Sequence, residues 1–427
     1  MPMIFCRIGW VGTQVPSRPW IIATDGRGVP ALPNGSLFNI CVEHGFRLAS
    51  TDAIPADPKP RRMNATAAQL RAELQLAPSL FENFLARFFE ENSERYAYGE
   101  LFEPLYLDIT EFVARRGKRI RPLLLLGSYR IFGGDRPFED NSLLRAALSL
   151  ELLHSFILIH DDVIDQSERR RRLPTFHKLV EERLGKTDSA ARVGENVAVV
   201  VGDILFAMAV DTLRSTDFPP AVRDAALAHF LRYISDTGAG EVYDILLGTR
   251  DIARVAEADI SRMYTLKTTR YTFEAPLVLG ALLAGVDDDH LRELAELIEP
   301  VGLAFQIQND LIEYHQFKGV DRLRQTDILE GKKTLLLRAA YDNLVDVDRS
   351  FLQLCLSTRT SNDASVSKIE QLIDKSGAVG LLTQKMESLF QKAEAARESS
   401  SFTPAQRDGL REAFALVRQQ TQHTGTQ

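Results

Sequence analysis

The residues best suited to chemistry lie between Glu151 and His177, where an apolar run ends in Asp161, Asp162 and Asp165 and four arginines, Arg169 to Arg172, follow. On an α-helix, positions i and i+4 lie one above the other, so Asp161 and Asp165 present two carboxylates on one face. Two inward-facing carboxylates repel each other. A hard divalent cation removes that cost, and Mg2+ is commonly held by one or two carboxylates plus substrate phosphates. The arginines a turn or two later supply planar forks suited to phosphate. The pattern describes a metal–diphosphate site, although a bare Asp-Asp-x-x-Asp is equally the solvated end of a helix with surface ion pairs.

Further charged segments extend the pattern. Gln306 to Glu313 sets Asn309 and Glu313 at i, i+4, with Gln306 and Asp310 on the same helical stretch. It is followed by Asp327-Ile-Leu-Glu-Gly-Lys-Lys-Thr334, which carries Lys332. Upstream, Gly117-Lys-Arg-Ile-Arg-Pro122 opens an apolar helix with Lys118, Arg119 and Arg121 inside four positions, as an anion site at a helix start needs. Lys267 stands in a mostly apolar helix, where a snorkelling lysine is the ordinary reading.

Composition limits the alternatives. The chain has 427 residues, 45% hydrophobic and 26% charged, the arithmetic of a folded protein with a large core. Its net charge of −7 argues against a general nucleic-acid binder, so an anionic ligand must meet a local basic cluster. Cys6, Cys41 and Cys355 lie far apart without CxxC spacing, which sets aside a disulfide framework or cysteine metal site and fits a reducing cytoplasm. No uninterrupted uncharged apolar run of about 18 residues predicts a membrane span, and no secretory h-region opens the chain.

The elements that must position these groups are helical. Residues 1–62 hold eight of the 18 prolines, lack a sustained period and carry net charge +3 against −10 for residues 63–427, which predicts a poorly ordered N-terminal extension. From Thr66 to Arg418 apolar residues recur at helical spacing, with long helices expected over 122–132, 142–160, 195–214, 221–247, 256–284, 290–313 and 334–345. Val197 to Phe206 is apolar nearly all round, which predicts a central helix surrounded by others. Ser357 to Ser367 reads as a polar loop and 419–427 as a frayed tail. The fold class expected is all-α, with 63–418 as one large helical domain.

GKRIRP (117–122), ELLHSFILIHDDVID (151–165), RRRLPTFH (170–177), GD (202–203), KTTRYT (267–272), FQIQND (305–310) and DILEGKKT (327–334) occur in the order and approximate spacing of the trans-isoprenyl diphosphate synthases. The chain resembles that polyprenyl synthetase family, and KTTRYT is most similar to actinobacterial geranylgeranyl diphosphate synthases. The resemblance implies a helical bundle around a central cavity, the type I isoprenoid synthase fold. It also implies a Mg2+-dependent prenyltransferase, with two or three ions bound together with substrate diphosphate, and a homodimer. The implied reaction condenses isopentenyl diphosphate head to tail with an allylic diphosphate through an ionised allylic carbocation.

Residue by residue, the resemblance implies that Asp161 and Asp165 ligate Mg2+ with Asp162 in support, and that Asn309, Asp310 and Asp327 place further Mg2+. Lys118, Arg121, His154 and Arg171 would hold isopentenyl diphosphate. Arg170, Lys267, Thr268, Gln306 and Lys332 would grip the allylic diphosphate, with Glu241 and Asp244 lining the cavity. Asp161, Asp162, Asp165, Lys267, Gln306 and Asp310 form the implied catalytic set. Phe156, five residues before Asp161, lies about one and a half turns farther from the metal and is expected, with Ile157, to floor the hydrocarbon tunnel early. That position favours a C20 product, with C15 next; the alternative is that Phe156 is simply core.

Three features depart from the family pattern. Asn309 replaces the first carboxylate of the second acidic motif, which removes a negative charge from a prospective Mg2+ ligand and lowers affinity, with Glu313 as partial compensation. Asn-Asp-x-x-Glu also resembles the metal motif of class I terpene synthases, although Phe317 stands where their last acidic ligand would be. Arg172 replaces a glycine, and a lysine expected before DILEGKK is missing, with Lys318, Arg322 or Arg324 as substitutes. A terpene synthase, or a weakly active or regulatory subunit of a heteromeric synthase, are the alternative readings.

Overall fold

The computed structural model describes residues 66–96, 98–170, 173–317, 328, 331–358 and 363–422. The expectations for residues 1–62, Arg171, Arg172, Lys318, Arg322, Arg324 and Asp327 concern positions outside these.

The fold is all-α. The first part runs α1 (Ala67–Glu91), α2 (Glu103–Ala114), α3 (Ile120–Ile131) and α4 (Asn141–Ile164). A two-residue antiparallel hairpin pairs β1 (Arg169–Arg170) with β2 (Leu173–Pro174), and α5 (Phe176–Leu184), α6 (Ala190–Arg214) and α7 (Pro220–Gly248) follow. Then come α8 (Glu257–Tyr264), a π-helical segment (Thr265–Glu274), α9 (Ala275–Leu283) and α10 (Asp288–Phe317). The described chain closes with α11 (Leu335–Asn343), α12 (Asp346–Thr358), α13 (Asp363–Ser376), α14 (Ala378–Ser399) and α15 (Pro404–Gln422).

Local chemistry sets several of the starts. Thr66 and Gln69 form a capping box at α1, and the Asp140 side chain accepts from the Leu143 N–H at the start of α4. The Thr334 hydroxyl caps α11 immediately after Lys332 and Lys333. Beyond Asp165 the chain turns through Gln166 at φ +52°, ending the helix that carries the acidic motif and sending Arg170 back over it.

Packing joins these helices in two hydrophobic clusters. The larger gathers α1 to α6, the first part of α7, α9, the first part of α10, and α15; the smaller gathers α8, the end of α10 and α11 to α13. Met386 and Leu389 of α14 pack against both. Close helix approach relies on missing side chains. A Cβ at Gly202 of α6 would fall 2.2 Å from His160 Nε2 on α4, and one at Gly280 of α9 would fall 2.4 Å from the Leu125 carbonyl oxygen on α3.

Four expectations need correction. The helix expected over 256–284 is interrupted by ten π-helical residues. The polar stretch 357–367 is largely helical, with α12 running to Thr358 and α13 starting at Asp363, because Cys355, Leu356, Val366 and Ile369 supply apolar faces to the smaller cluster. The expected frayed tail is helical as far as Gln422. Finally, α6 is not enclosed: Val193, Val199 and Val200 are exposed while Ala198, Val201 and Leu205 are buried. By length and composition both α4 and α6 could cross a membrane, although both contain acids that broke the uncharged run sought in the sequence. Their apolar windows are 72% and 39% buried within the fold, respectively.

Candidate active site

The acidic end of α4 sits at the centre of a network of charges. Asp161 Oδ2 accepts from Arg170 Nη2 at 2.9 Å, and Asp161 Oδ1 lies 3.3 Å from Lys267 Nζ. Asp165 Oδ2 accepts from Lys332 Nζ at 2.6 Å. Asp162, 1% exposed, accepts from Arg170 Nε at 2.8 Å on one oxygen, while its other oxygen is buried with no hydrogen-bond partner. Three elements far apart in sequence thus place a cation on this acidic cluster: the hairpin, the π segment and the loop before α11.

Electrostatics separates the three carboxylates. Burial pushes the Asp161 carboxyl up, but Lys267, Arg170 and Lys332 outweigh it and hold the group below its ordinary value. Burial raises Asp162 to about 6 against the opposing pull of Arg170, and its two acidic neighbours add to the rise. Asp165 is also raised, chiefly by burial, despite Lys332.

Lys267 is the hub of the other half of the network. Its ammonium lies 2.8 Å from Glu241 Oε2 and 2.7 Å from Asp244 Oδ2, both on α7. Burial alone would lower its pKa; the carboxylates of Asp161, Asp244 and Glu241 reverse that and raise it above its ordinary value. The π segment brings Lys267 against α7, and Gly240 makes the approach possible: a Cβ there would fall 2.3 Å from Lys267 N. Segments of this kind often mark functional sites, since the extra residue per turn redirects side chains. Thr268, next in the segment, is half-buried.

The second acidic segment lies on α10. Asn309 and Glu313 are half-buried, while Asp310 is 5% exposed and turned inward. Asp310 accepts from the Tyr264 hydroxyl and from Gln306 Nε2 (3.3 Å), and the Tyr264 oxygen in turn accepts from the Leu335 N–H at 3.1 Å. Asp310 thereby ties α10 to the segment after Lys332.

On α3, Arg121 is buried, donates from Nη2 to Thr272 Oγ1 at 2.7 Å and lies over the Tyr271 ring at 4.3 Å. The Tyr271 hydroxyl is 3.4 Å from His154 Nδ1. Lys118 is exposed at the mouth of the turn before α3. Arg119, read from sequence as one of three cations for an anion, is instead buried against Glu82 and Glu151. Along the apolar continuation of α4, the Phe156 ring packs against His160 (centroids 4.7 Å apart) and Phe206 of α6 (5.6 Å), and Ile157 is half-buried beside it.

The sequence reading missed Tyr264, Tyr271, Thr272, Glu82, Glu151 and Phe206. Tyr271 and Thr272 stand inside KTTRYT, and Glu151 opens ELLHSFILIHDDVID, so these could have been found there; the others serve partners 37 to 71 residues away and leave no local pattern. The donor set fits Mg2+: hard carboxylate oxygens on one helix face, one Asp162 oxygen without a partner, and cations spaced to share a diphosphate with the metal. Among the described residues no three acidic, histidine or cysteine groups form a cage, so part of the coordination would come from the ligand.

Residues 103–373 match the polyprenyl synthetase family model. The chain is 28% identical over 262 residues to a geranylgeranyl diphosphate synthase of Saccharolobus solfataricus, covering 61% of this chain and 73% of that protein. It is 31% identical over 240 residues to geranylgeranyl pyrophosphate synthase 7, chloroplastic, of Arabidopsis thaliana, covering 55% and 62%. Among solved structures, a geranylgeranyl pyrophosphate synthase of Corynebacterium glutamicum complexed with isoprenyl diphosphate and magnesium has the same fold. Its TM-score is 0.72 at 24% identity, covering 82% of this chain and 99% of that one.

Proposed function

The chain belongs to the polyprenyl synthetase family, and from that premise we propose that it condenses isopentenyl diphosphate head to tail with an allylic diphosphate to give a C20 prenyl diphosphate. The observation that carries this reading is the convergence of Arg170, Lys267 and Lys332 on Asp161 and Asp165. Terpene synthase and regulatory-subunit readings are not favoured, because the relatives are named as prenyl diphosphate synthases.

Breaking an allylic C–O bond leaves a carbocation and a highly charged diphosphate. Asp161 and Asp165, with Asn309, would hold Mg2+, which supplies Lewis-acid stabilisation of the leaving oxygens. Arg170, Lys267 and Lys332 exchange their carboxylate partners for the departing diphosphate and neutralise it. Lys118, Arg121 and His154 hold the second diphosphate, fixing its double bond against the electron-poor carbon. The new C–C bond forms, and a proton then leaves the adjacent carbon for the released diphosphate. No side-chain nucleophile is needed.

Phe156, backed by Phe206, stops the growing tail in this reading. Phe156→Ala should shift the product from C20 toward longer chains, measured by chromatography of dephosphorylated products; an unchanged distribution would make the ring core only. The synthase reading is tested by supplying Mg2+, isopentenyl diphosphate and each of the C5, C10 and C15 allylic primers. Elongated prenyl diphosphate is expected, and its absence with all three primers would sink the reading.

The working unit we propose is a homodimer. The exposed apolar residues Val193, Val199 and Val200 on α6, and Leu231, Val242, Ile245 and Leu246 on α7, suit a second copy of the same face.

A further inference from the structure

The turn that opens α3 has a backbone conformation an arginine rarely takes. Arg119 has φ +46° and ψ +33°, in the left-handed region that L side chains avoid. Residues kept there in a folded protein are held by their surroundings, and they gather at binding sites. At Arg119 the surroundings are charges. Its Nη1 donates to Glu151 Oε1 at 2.5 Å and its Nε to Glu82 Oε1 at 2.7 Å. Arg119 and Glu151 are each 5% exposed.

The three residues belong to three elements. Glu82 lies on α1, and Glu151 lies on α4, ten positions before Asp161 and one turn before His154. On either side of Arg119 stand Lys118 and Arg121, and a pocket beside it is lined by Arg119, Glu151, His154, Ser155 and Arg170. The hand of residue 119 sets the direction of the chain before it, and therefore where Lys118 lies relative to Arg121 and His154.

We propose that Arg119 is a positioning residue for isopentenyl diphosphate: its ion pairs with Glu151 and Glu82 hold the left-handed turn that aims Lys118 and Arg121 at one diphosphate. This rests on the reading that those two residues and His154 hold that substrate. Arg119 itself spends its donors on the two glutamates, and it works by coupling the loop to the helix that carries the acidic motif.

The test uses the full chain and compares Arg119→Ala, Arg119→Gly and Glu151→Gln by calorimetric titration with isopentenyl diphosphate, alongside steady-state kinetics in both substrates. Arg119→Ala and Glu151→Gln are expected to weaken isopentenyl diphosphate binding by about tenfold or more, the scale of a lost charged hydrogen bond. The KM for the allylic substrate should stay within about twofold. Combining Arg119→Ala with Glu151→Gln should add little to either alone, since both break one unit. Arg119→Gly, which adopts the left-handed turn readily, should lose less than Arg119→Ala. Thermal destabilisation with unchanged binding would overturn the proposal in favour of a purely structural clamp. Tighter binding in Glu151→Gln alongside weaker binding in Arg119→Ala would overturn it in favour of Arg119 as a direct ligand. A wild-type chain that neither binds nor turns over isopentenyl diphosphate removes the functional reading itself, and the proposal with it; that result is separate from any variant effect.

Discussion

Asp161, Asp162 and Asp165 occupy one turn of helix yet have different electrostatic characters. Asp161 faces three cations and stays ionised; Asp162 faces inward, with a single arginine and a bare oxygen, and is raised to about 6. The pairing that brings the carboxylates and cations to ion-pair distance is also what a diphosphate and metal would replace. Asn309 stands where the family resemblance leads one to expect a carboxylate, and a neutral amide holds a divalent cation less strongly than a carboxylate. Asn309→Asp should therefore lower the Mg2+ concentration needed for half-maximal turnover, by roughly tenfold for one added charge at ligand distance. Activity measured against total Mg2+ checks this, and an unmoved midpoint would place residue 309 outside the coordination sphere.

Between Tyr264 and Ala275 the helix widens, and Lys267 reaches Glu241 and Asp244 because Gly240 lets the two backbones meet. Gly302 on α10 provides similar room on another side, where a Cβ would fall 2.2 Å from Thr269 Cγ2. Gly240→Ala must push the Lys267 backbone away, and overpacking of this kind costs about 1–3 kcal/mol of stability. Because the displaced group carries the ammonium proposed to grip the leaving diphosphate, kcat should fall by about tenfold or more while isopentenyl diphosphate binding is retained. Differential scanning calorimetry and steady-state kinetics separate the two effects. Full kcat in a destabilised variant would show that the approach serves packing alone. The sequence announced a helix over 256–284 correctly in extent, but an i→i+5 segment has no apolar period of its own and went unread.

At the scale of the molecule, the exposed valines of α6 and the exposed leucine, isoleucine and valine residues of α7 are apolar surface that a lone chain leaves uncovered among the described residues. The apolar run on α6 reads from sequence as an enclosed helix, because periodicity reports that a face is apolar and not which molecule covers it. Introducing charge into that face with Val200→Arg together with Leu246→Arg should convert a species of twice the 47.8 kDa chain mass into the single chain, as measured by light scattering. A wild-type mass equal to one chain would dismiss the homodimer.

By itself the sequence determined the helical class, the two acidic segments and the basic residues that answer them, since helical periodicity and i, i+4 spacing are local properties. Asp161, Asp165, Lys267 and Lys332 were legible because each sits in a motif whose neighbours restrict its role. Only the tertiary structure decided which cation meets which carboxylate, that Arg119 pairs with Glu82 and Glu151 rather than with an anionic ligand, and that Asp310 anchors Tyr264 and through it the start of α11. These partners are separated by dozens of residues, and their meeting depends on helix packing around glycines such as Gly240 and Gly202. That packing has no signature in the spacing of any one segment.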